Sequence, residues 1–229
     1  MTTHITSPSA VLWDMDGTLI DSEPYWIGAE TDLAAQWGIE WTHDDGLQLV
    51  GNPLPVSAQV LRGRGVDLPG DEIVAYLLGR VRDSVKEHVP WQDDARSLLE
   101  ELHGADIPLA LVTMSYTPLA EALTSALPGV FDVVVTGDTV SRGKPDPEAF
   151  LTAAKKLGVD IETCVAFEDS PAGVQSAWSS GARTVGVKRL TPIPSLPGLS
   201  RVASLEDWGL DVVQRVANGE VIDELSAHD

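Results

Sequence analysis

The chain has 229 residues, with 15 Lys and Arg against 35 Asp and Glu, which gives a formal net charge of −20. This field repels nucleic acid and anionic lipid, so neither is expected as a partner. It also repels anionic substrates, so an enzyme that binds phosphate would need a metal ion, a lysine or backbone N–H groups as local compensation. No apolar run reaches the length that spans a bilayer.

Two further features concern the compartment. Residues 1–10 lack the basic and apolar stretches of a secretory signal, which predicts a cytoplasmic protein. Cys164 is the single cysteine and lies in an apolar run, so we expect a buried hydrophobe on a strand rather than a reactive thiol.

The length fits one large domain or a core with a smaller domain, and we expect a monomer or a weak dimer.

Short apolar segments alternate with helical patterns along most of the chain. The predicted strands, short and apolar, are residues 10–13, 108–112, 130–135, 164–167 and 184–187. The predicted helices, with apolar residues at helical spacing, are residues 93–103, 118–127, 147–157 and 171–180. This alternation indicates an α/β fold with a parallel sheet covered by helices.

One region, residues 24–89, interrupts the alternation with helical patterns alone. The predicted helices there are residues 25–37, 55–61 and 71–88. We expect a helical domain at residues 20–89, inserted into a core of residues 1–19 and 90–229, with hinges at residues 19–23 and 89–91. The proline-rich stretch 191–198 is predicted to be a loop, and the acidic end 220–229 a frayed helix or tail.

Two carboxylates, Asp14 and Asp16, come directly after the first predicted strand. Ligands of open parallel sheets bind beyond the carboxyl ends of the strands. An ionised Asp14 there could attack phosphorus without an activating base, and Asp16 could protonate the leaving oxygen and later take a proton from water. An ordinary Asp-Gly turn is the alternative, and the extended string from Asp14 to Ser22 argues against it.

Polar residues also follow three later predicted strands. The hydroxyls of Thr113 and Ser115 and nearby N–H groups could hold phosphate oxygens. Lys144, just before a helix, could neutralise a phosphoryl oxygen together with the nucleophile. Glu168 and Asp169 would complete an all-oxygen site suited to Mg²⁺. The simpler alternatives are that Thr113 and Ser115 cap the helix beginning near Pro118, that Asp169 or Ser170 caps the helix after it, and that the lysine lies at the surface.

Taken in this order, the strings at residues 14–22, 143–147 and 167–173 resemble the haloacid dehalogenase (HAD) superfamily. The closer match is its branch of beta-phosphoglucomutase-like phosphatases with a helical cap. The resemblance extends from Val11 to about Trp208. It implies a Rossmann-like parallel sheet core with helices on both faces plus an inserted α-helical cap domain, and the activity of a Mg²⁺-dependent phosphatase.

The resemblance also implies roles for single residues. Asp14 would be the nucleophile that forms an aspartyl-phosphate, and Asp16 the general acid and base. The implied phosphoryl-binding residues are Thr113, Met114, Ser115 and Lys144. The implied metal ligands are Asp14, the backbone carbonyl of Asp16, Glu168 and Asp169.

Departures from the family pattern bear on the reaction. Dehalogenases lack an acid at the position of Asp16, so its presence favours phosphate esters. Beta-phosphoglucomutases carry a cap histidine where Trp26 stands and an arginine shortly after the glycine matching Gly51, where this chain has Asn52. A phosphatase acting on a sugar phosphate or similar small metabolite is therefore expected, with Trp26 and Gly51 near the substrate. A phosphosugar mutase and a non-catalytic binding protein of the same fold are the alternatives.

Overall fold

A six-stranded parallel sheet forms the centre of the protein in the computed structural model, which describes residues 6–225. The strands, in chain order, are β1 (Ala10–Trp13), β2 (Leu109–Val112), β3 (Val133–Val135), β4 (Cys164–Glu168), β5 (Arg183–Val187) and β6 (Ser200–Val202). Their order across the sheet is β3-β2-β1-β4-β5-β6, and every neighbouring pair is parallel. The Rossmann-like α/β fold predicted from the sequence is confirmed.

The strand order reverses at β1, which pairs with β2 on one side and β4 on the other. Trp13 is in register with both Leu111 and Phe167, so the three central strands end at nearly the same level. The N–H of Asp14 continues the ladder by donating to the carbonyl of Phe167 at 3.0 Å. Residues that follow these strands therefore meet at one edge of the sheet, where ligands of such sheets bind.

Helices cover both faces of the sheet. The helices of residues 6–225, in chain order, are α1 (Glu23–Gln36), α2 (His43–Leu47), α3 (Leu54–Arg64), α4 (Gly70–Glu87), α5 (Asp93–Gly104), α6 (Thr117–Ser125), α7 (Glu148–Leu157), α8 (Pro171–Ser180) and α9 (Leu210–Ala217), with a short 3₁₀ helix at Ile161–Thr163. Apolar residues of α7 and α8 pack on one face of the sheet, and those of α5, α6 and α9 on the other. Cys164 is buried on β4, as expected from the sequence.

The stretch from α1 to α4, all of whose residues the structure describes, contains helices and no strand. Its two connections to the sheet run side by side. The N–H of Asp21 donates to the carbonyl of Pro90 at 2.8 Å, and the N–H of Gln92 donates to the carbonyl of Leu19 at 2.9 Å. Helix α4 also packs against α6, and one apolar cluster runs from the sheet into this helical insertion.

Several elements differ from the sequence prediction. Strand β3 begins at Val133 rather than residue 130, after a turn in which the N–H of Val130 donates to the carbonyl of Leu127. The short elements α2, β6 and α9 were not predicted. The acidic end is not a helix as far as residue 225, because Asp223 forms a parallel bridge and an ion pair with Arg201.

Some predictions fall at the chain ends. Residues 1–5 and 226–229 lie outside the described residues, and so do the matching parts of the predictions for the N-terminus and the acidic end. Within residues 6–225, none of the helices is both long and apolar enough to cross a membrane.

Candidate active site

Asp14 lies at the carboxyl end of β1, where it is 6% exposed. The chain turns away immediately afterwards at Gly17, whose φ of +89° is a conformation that other residues rarely adopt. A Cβ at Gly17 would lie 2.1 Å from Oδ2 of Asp169. The glycine therefore lets the β1 loop approach the β4 loop, which brings the carboxylates of Asp14 and Asp169 into one site.

Lys144 supplies the positive charge of this site. Its Nζ lies 2.5 Å from Oδ1 of Asp14 and 2.5 Å from Oε1 of Glu168, and it donates to the carbonyl of Val112 at 2.9 Å. The lysine side chain is only 5% exposed, so the alternative that Lys144 lies at the surface is wrong. Burial alone would lower the pKa of Lys144, but the charges of Asp14 and Glu168 outweigh it and raise that pKa, so the ammonium stays charged.

Asp14, Glu168 and Asp169 form a compact group of buried carboxylates whose oxygens lie within 4.8 Å of one another. Burial and the charge of Asp14 raise the pKa of Glu168 to about 7. Burial, followed by the charges of Asp14 and Glu168, raises the pKa of Asp169 well above its ordinary value. One lysine cannot neutralise three carboxylates, and an all-oxygen group of this kind fits a hard divalent cation such as Mg²⁺.

Neighbouring groups hold Glu168, the last residue of β4, and Asp169, which follows it. Thr18 donates through its hydroxyl to Oδ1 of Asp169 at 3.1 Å, and Thr191 donates to the carbonyl of the same residue at 3.1 Å. Oε2 of Glu168 accepts from the N–H of Asp169 at 3.1 Å and from the hydroxyl of Ser170 at 3.2 Å. These bonds fix the orientation of the carboxylates.

The carboxylate of Asp16 is held apart from this group by three hydroxyls. Ser22 donates to Oδ1 at 2.6 Å, while Ser115 and Thr113 donate to Oδ2 at 2.7 and 3.3 Å. Burial raises the pKa of Asp16, the charge of Asp14 raises it further, and the hydroxyl bonds oppose both. The result is a second carboxyl beside Asp14 that favours its protonated form, as a proton donor requires.

Of the residues considered as alternative helix caps, only Ser170 caps a helix. Helix α6 begins after Tyr116 with no side-chain cap, so Thr113 and Ser115 do not cap it. Ser170 does cap α8, by accepting from the N–H of Gly173 at 3.1 Å, whereas the carboxylate of Asp169 bonds Thr18 instead.

Met114 lies between Thr113 and Ser115, and its side chain turns toward the loop of Lys144. The N–H of Lys144 donates to Sδ of Met114 at 3.2 Å. The structure therefore shows a role for this side chain that the sequence did not suggest, since the resemblance implied only phosphate binding.

The two residues predicted near the substrate within the insertion lie apart from this contact network. Trp26, one turn after Ser22 on α1, is partly buried against the main apolar cluster. Gly51 is exposed in a turn with φ of +77°. Within residues 6–225, no hydrogen bond or ion pair joins either of them to the carboxylate group, and their contact with substrate stays a prediction.

Sequence reasoning missed three groups that shape the site. Thr18 and Ser22 lie inside the first motif string, and their hydroxyls were the available signal. Thr191 lies in the proline-rich stretch that was predicted to be a loop, and nothing in its sequence context points to Asp169.

Comparison with known proteins agrees with this geometry. A family model described as haloacid dehalogenase-like hydrolase matches residues 8–181, which include the carboxylates of the site and Lys144. The chain belongs to the haloacid dehalogenase-like hydrolases. The resemblance found in the sequence is thus confirmed, and the prediction of a phosphoric monoester hydrolase holds at the level of family, since the named relatives of this HAD protein include phosphatases.

Two curated relatives and one solved structure illustrate the similarity. The HAD chain is 35% identical over 188 residues to a phosphorylated carbohydrates phosphatase of Thermotoga maritima, which covers 77% of this chain and 83% of the relative. It is 32% identical to hexitol phosphatase A of Escherichia coli, with 92% and 96% covered. CbbY from Rhodobacter sphaeroides, solved in complex with phosphate, superposes with a TM-score of 0.80 at 28% identity, with 90% and 99% covered.

Proposed function

We propose that this chain is a Mg²⁺-dependent phosphatase that hydrolyses a small phosphorylated metabolite through an aspartyl-phosphate on Asp14. The observation that carries the proposal is the buried contact between the carboxylate of Asp14 and the ammonium of Lys144, 2.5 Å apart. A second carboxyl, Asp16, held by hydroxyls and inclined to keep a proton, lies beside it. A nucleophile, a cation and a proton donor are the groups that phosphoryl transfer to a carboxylate requires.

The first step transfers the phosphoryl group to the enzyme. An oxygen of Asp14 attacks phosphorus, the new O–P bond forms as the bond from phosphorus to the leaving oxygen breaks, and Asp16 gives its proton to that oxygen. Lys144 and the loop of residues 113–115 hold the phosphoryl oxygens. Mg²⁺ bound by Asp14, Glu168, Asp169 and the carbonyl of Asp16 would supply positive charge to those oxygens.

The second step restores the enzyme. Water attacks phosphorus while Asp16 takes one of its protons, and the bond between phosphorus and Asp14 breaks. Inorganic phosphate leaves and the carboxylate of Asp14 is free again. The same side chain serves as acid and then as base, which its hydroxyl partners support because they hold both of its oxygens in place.

The substrate proposed is a sugar phosphate or a similar small phosphate ester. The curated relatives reported above are named for phosphorylated carbohydrates and hexitols. We infer that residues 20–89 act as a cap over the site and that Trp26 and Gly51 lie near the leaving group, since Trp26 is one turn from Ser22 and so from Asp16. The core residues contact only the phosphoryl group, so the choice of substrate would rest with the cap.

Hydrolysis is favoured over the mutase reaction. A mutase must hold an intermediate while it reorients, and the family's cap histidine and arginine are replaced here by Trp26 and a segment beginning at Asn52. A non-catalytic role is disfavoured because Asp14, Asp16 and Lys144 are all present and in contact range of their partners.

The experiment that tests the proposal is turnover of a panel of phosphorylated metabolites with Mg²⁺, followed by acid quench and mass spectrometry. We expect phosphate release from sugar phosphates and a phosphate adduct on the peptide that contains Asp14. Asp14→Asn should abolish both while the protein still folds, and Trp26→Ala should change kcat/KM unequally across the panel. Turnover by the Asp14→Asn variant at the wild-type rate would contradict the proposal.

A further inference from the structure

The side chain of Met114 bridges two loops that carry the proposed phosphate-binding groups. Its own loop follows β2 and contains the hydroxyls of Thr113 and Ser115. The other follows β3 and contains Lys144. The two loops are also joined where the N–H of Gly137 donates to the carbonyl of Ser115 at 3.0 Å. The relative position of the loops sets how the hydroxyls and the ammonium are spaced around a phosphoryl group.

The backbone of Met114 is fixed against the second loop. A Cβ placed on Gly137 would lie 2.2 Å from the carbonyl oxygen of Met114, so only a glycine allows this approach. The Met114 side chain, like that of Val140, packs against the apolar cluster that α7 and α8 form with one face of the sheet. This arrangement leaves the methionine little freedom to move away from the loop of Lys144.

The thioether sulfur contacts that loop directly. Sδ of Met114 accepts a hydrogen bond from the N–H of Lys144 at 3.2 Å, and a Cβ on Gly143 would lie 2.8 Å from the same sulfur. Nζ of the same lysine reaches Asp14, Glu168 and the carbonyl of Val112. The sulfur therefore holds the backbone of the residue whose ammonium contacts the nucleophile.

We propose that the Met114 thioether is a positioning group for Lys144, and that oxidation of this one sulfur to the sulfoxide weakens the phosphate site. The proposal rests on the proposed function, since it takes Lys144 as a phosphate ligand. In the reaction with hydrogen peroxide the sulfur gives two electrons, the O–O bond breaks, one oxygen joins the sulfur and the other leaves as water.

Either product of oxidation disturbs the contact. Oxygen added to the lone pair that faces Lys144 would occupy the space of the hydrogen bond. Oxygen added to the other lone pair leaves a positively polarised sulfur facing an N–H donor. In the first case the loop has to shift to make room for the oxygen, and in the second case the N–H of Lys144 loses its acceptor.

Among residues 6–225, Met114 carries the one sulfur atom whose side chain is not fully buried. Met114 is partly exposed, whereas Met15 is fully buried. Cys164, the other oxidisable group, is buried, and burial raises the pKa of its thiol to about 11, which disfavours the reactive thiolate. Peroxide should therefore reach Met114 well before either of these.

The test compares wild-type protein with Met114→Leu, which keeps the size of the side chain and lacks the sulfur. Each is treated with hydrogen peroxide, and oxidation is located by peptide mapping. Binding of inorganic phosphate with Mg²⁺ is measured by calorimetry, and kcat and KM on a substrate of the panel. Cys164→Ala serves as a control with unchanged basal activity.

We expect oxidation at Met114 to weaken phosphate binding about tenfold or more, with activity lost in proportion, and methionine sulfoxide reductase to restore both. Met114→Leu should bind phosphate about three- to tenfold more weakly than untreated wild type, the size of one lost hydrogen bond, and should then resist peroxide. Cys164→Ala should behave like wild type throughout.

Three outcomes would overturn the proposal. Complete oxidation of Met114 with unchanged phosphate affinity would show that the sulfur positions nothing. If peroxide inactivated Met114→Leu as much as wild type, the peroxide-sensitive group would be another residue. Absence of phosphate binding by untreated protein would remove the proposed function and this inference together, and only that outcome affects both.

Discussion

The hydroxyl of Ser22 lies 2.6 Å from Oδ1 of Asp16, the shortest of the three hydroxyl bonds to that carboxylate. Ser22 is fully buried and directly precedes α1, so a residue at the start of the helical insertion is bonded to the proposed acid and base. This bond lowers the pKa of Asp16, against burial and the charge of Asp14, which raise it. The hydroxyl therefore influences both the position and the proton affinity of Asp16.

Ser22→Ala should lower kcat about tenfold with little change in KM, because one hydrogen bond to the proposed acid and base is lost. Since the bond lowers the pKa of Asp16, its removal should also move the pH–rate profile to higher pH. Steady-state kinetics between pH 5 and about 9 would measure both effects. Ser97→Ala, which removes a hydroxyl bond within α5, is the matched control and should leave the profile in place.

Removal of the metal should affect stability as well as turnover. EDTA should abolish activity, and Mg²⁺ at about 100 times its dissociation constant should stabilise the fold by about 2.7 kcal/mol, seen as a rise in melting temperature. Asp169→Asn should remove most of that rise, whereas Asp67→Asn, an exposed change of equal charge, should keep it. Ca²⁺ should inhibit because of its larger coordination sphere. Full activity in EDTA would contradict the metal proposal.

Gly173→Ala, a substitution in the first turn of α8, should disrupt the active site by displacing Glu168. A Cβ there would lie 1.9 Å from Oε1 and 2.0 Å from Oε2 of Glu168, so that carboxylate must leave its place beside Lys144. Activity should fall at least about a hundredfold, and the melting temperature should drop. Gly28→Ala is the matched control: it also lies within a helix, no atom approaches its Cβ within 4 Å, and it should stabilise the protein by about 0.5–1 kcal/mol.

Glu30 should make the protein less stable as the pH rises through the weakly acidic range. Burial, and then the charge of Glu23, raises the pKa of Glu30 to about 7, while the indole N–H of Trp41 opposes the shift by donating to it at 3.3 Å. Between its ordinary value of 4.5 and about 7, the folded state binds more protons than the unfolded state, so the free energy of unfolding falls as pH rises.

Glu30→Gln removes this titration and keeps an acceptor for Trp41. Chemical denaturation at a series of pH values from about 4.5 to 7.5 should show a shallower fall in stability for the variant, by up to about 3 kcal/mol over the range. The slope should not vanish, because Glu23, whose pKa burial also raises to about 7, titrates in the same window. Identical slopes for both proteins would show that Glu30 is solvated in the folded state.

The core of the site could be predicted because the fold brings strand ends together. Asp14 and Lys144 are 130 positions apart, yet both follow strands of one parallel sheet, and their residue types fit one chemistry. The thioether of Met114 and the hydroxyl of Thr191 could not be predicted, because their directions depend on loop conformations that no periodic pattern encodes. Strand β6 escaped prediction for a related reason: three residues containing Ser200 and Arg201 carry no clear apolar alternation.

The apolar cluster that continues from the sheet into the helical insertion limits how freely that insertion can be exchanged. Val81 and Val85 of α4 and Leu119 and Leu123 of α6 belong to this one cluster, and the two helices pack together. A chimera that receives another protein's insertion would inherit an α4 surface unmatched to its own α6. Grafting a cap from a relative, as a route to a new substrate range, would therefore have to carry the facing residues of α6 along with residues 20–89.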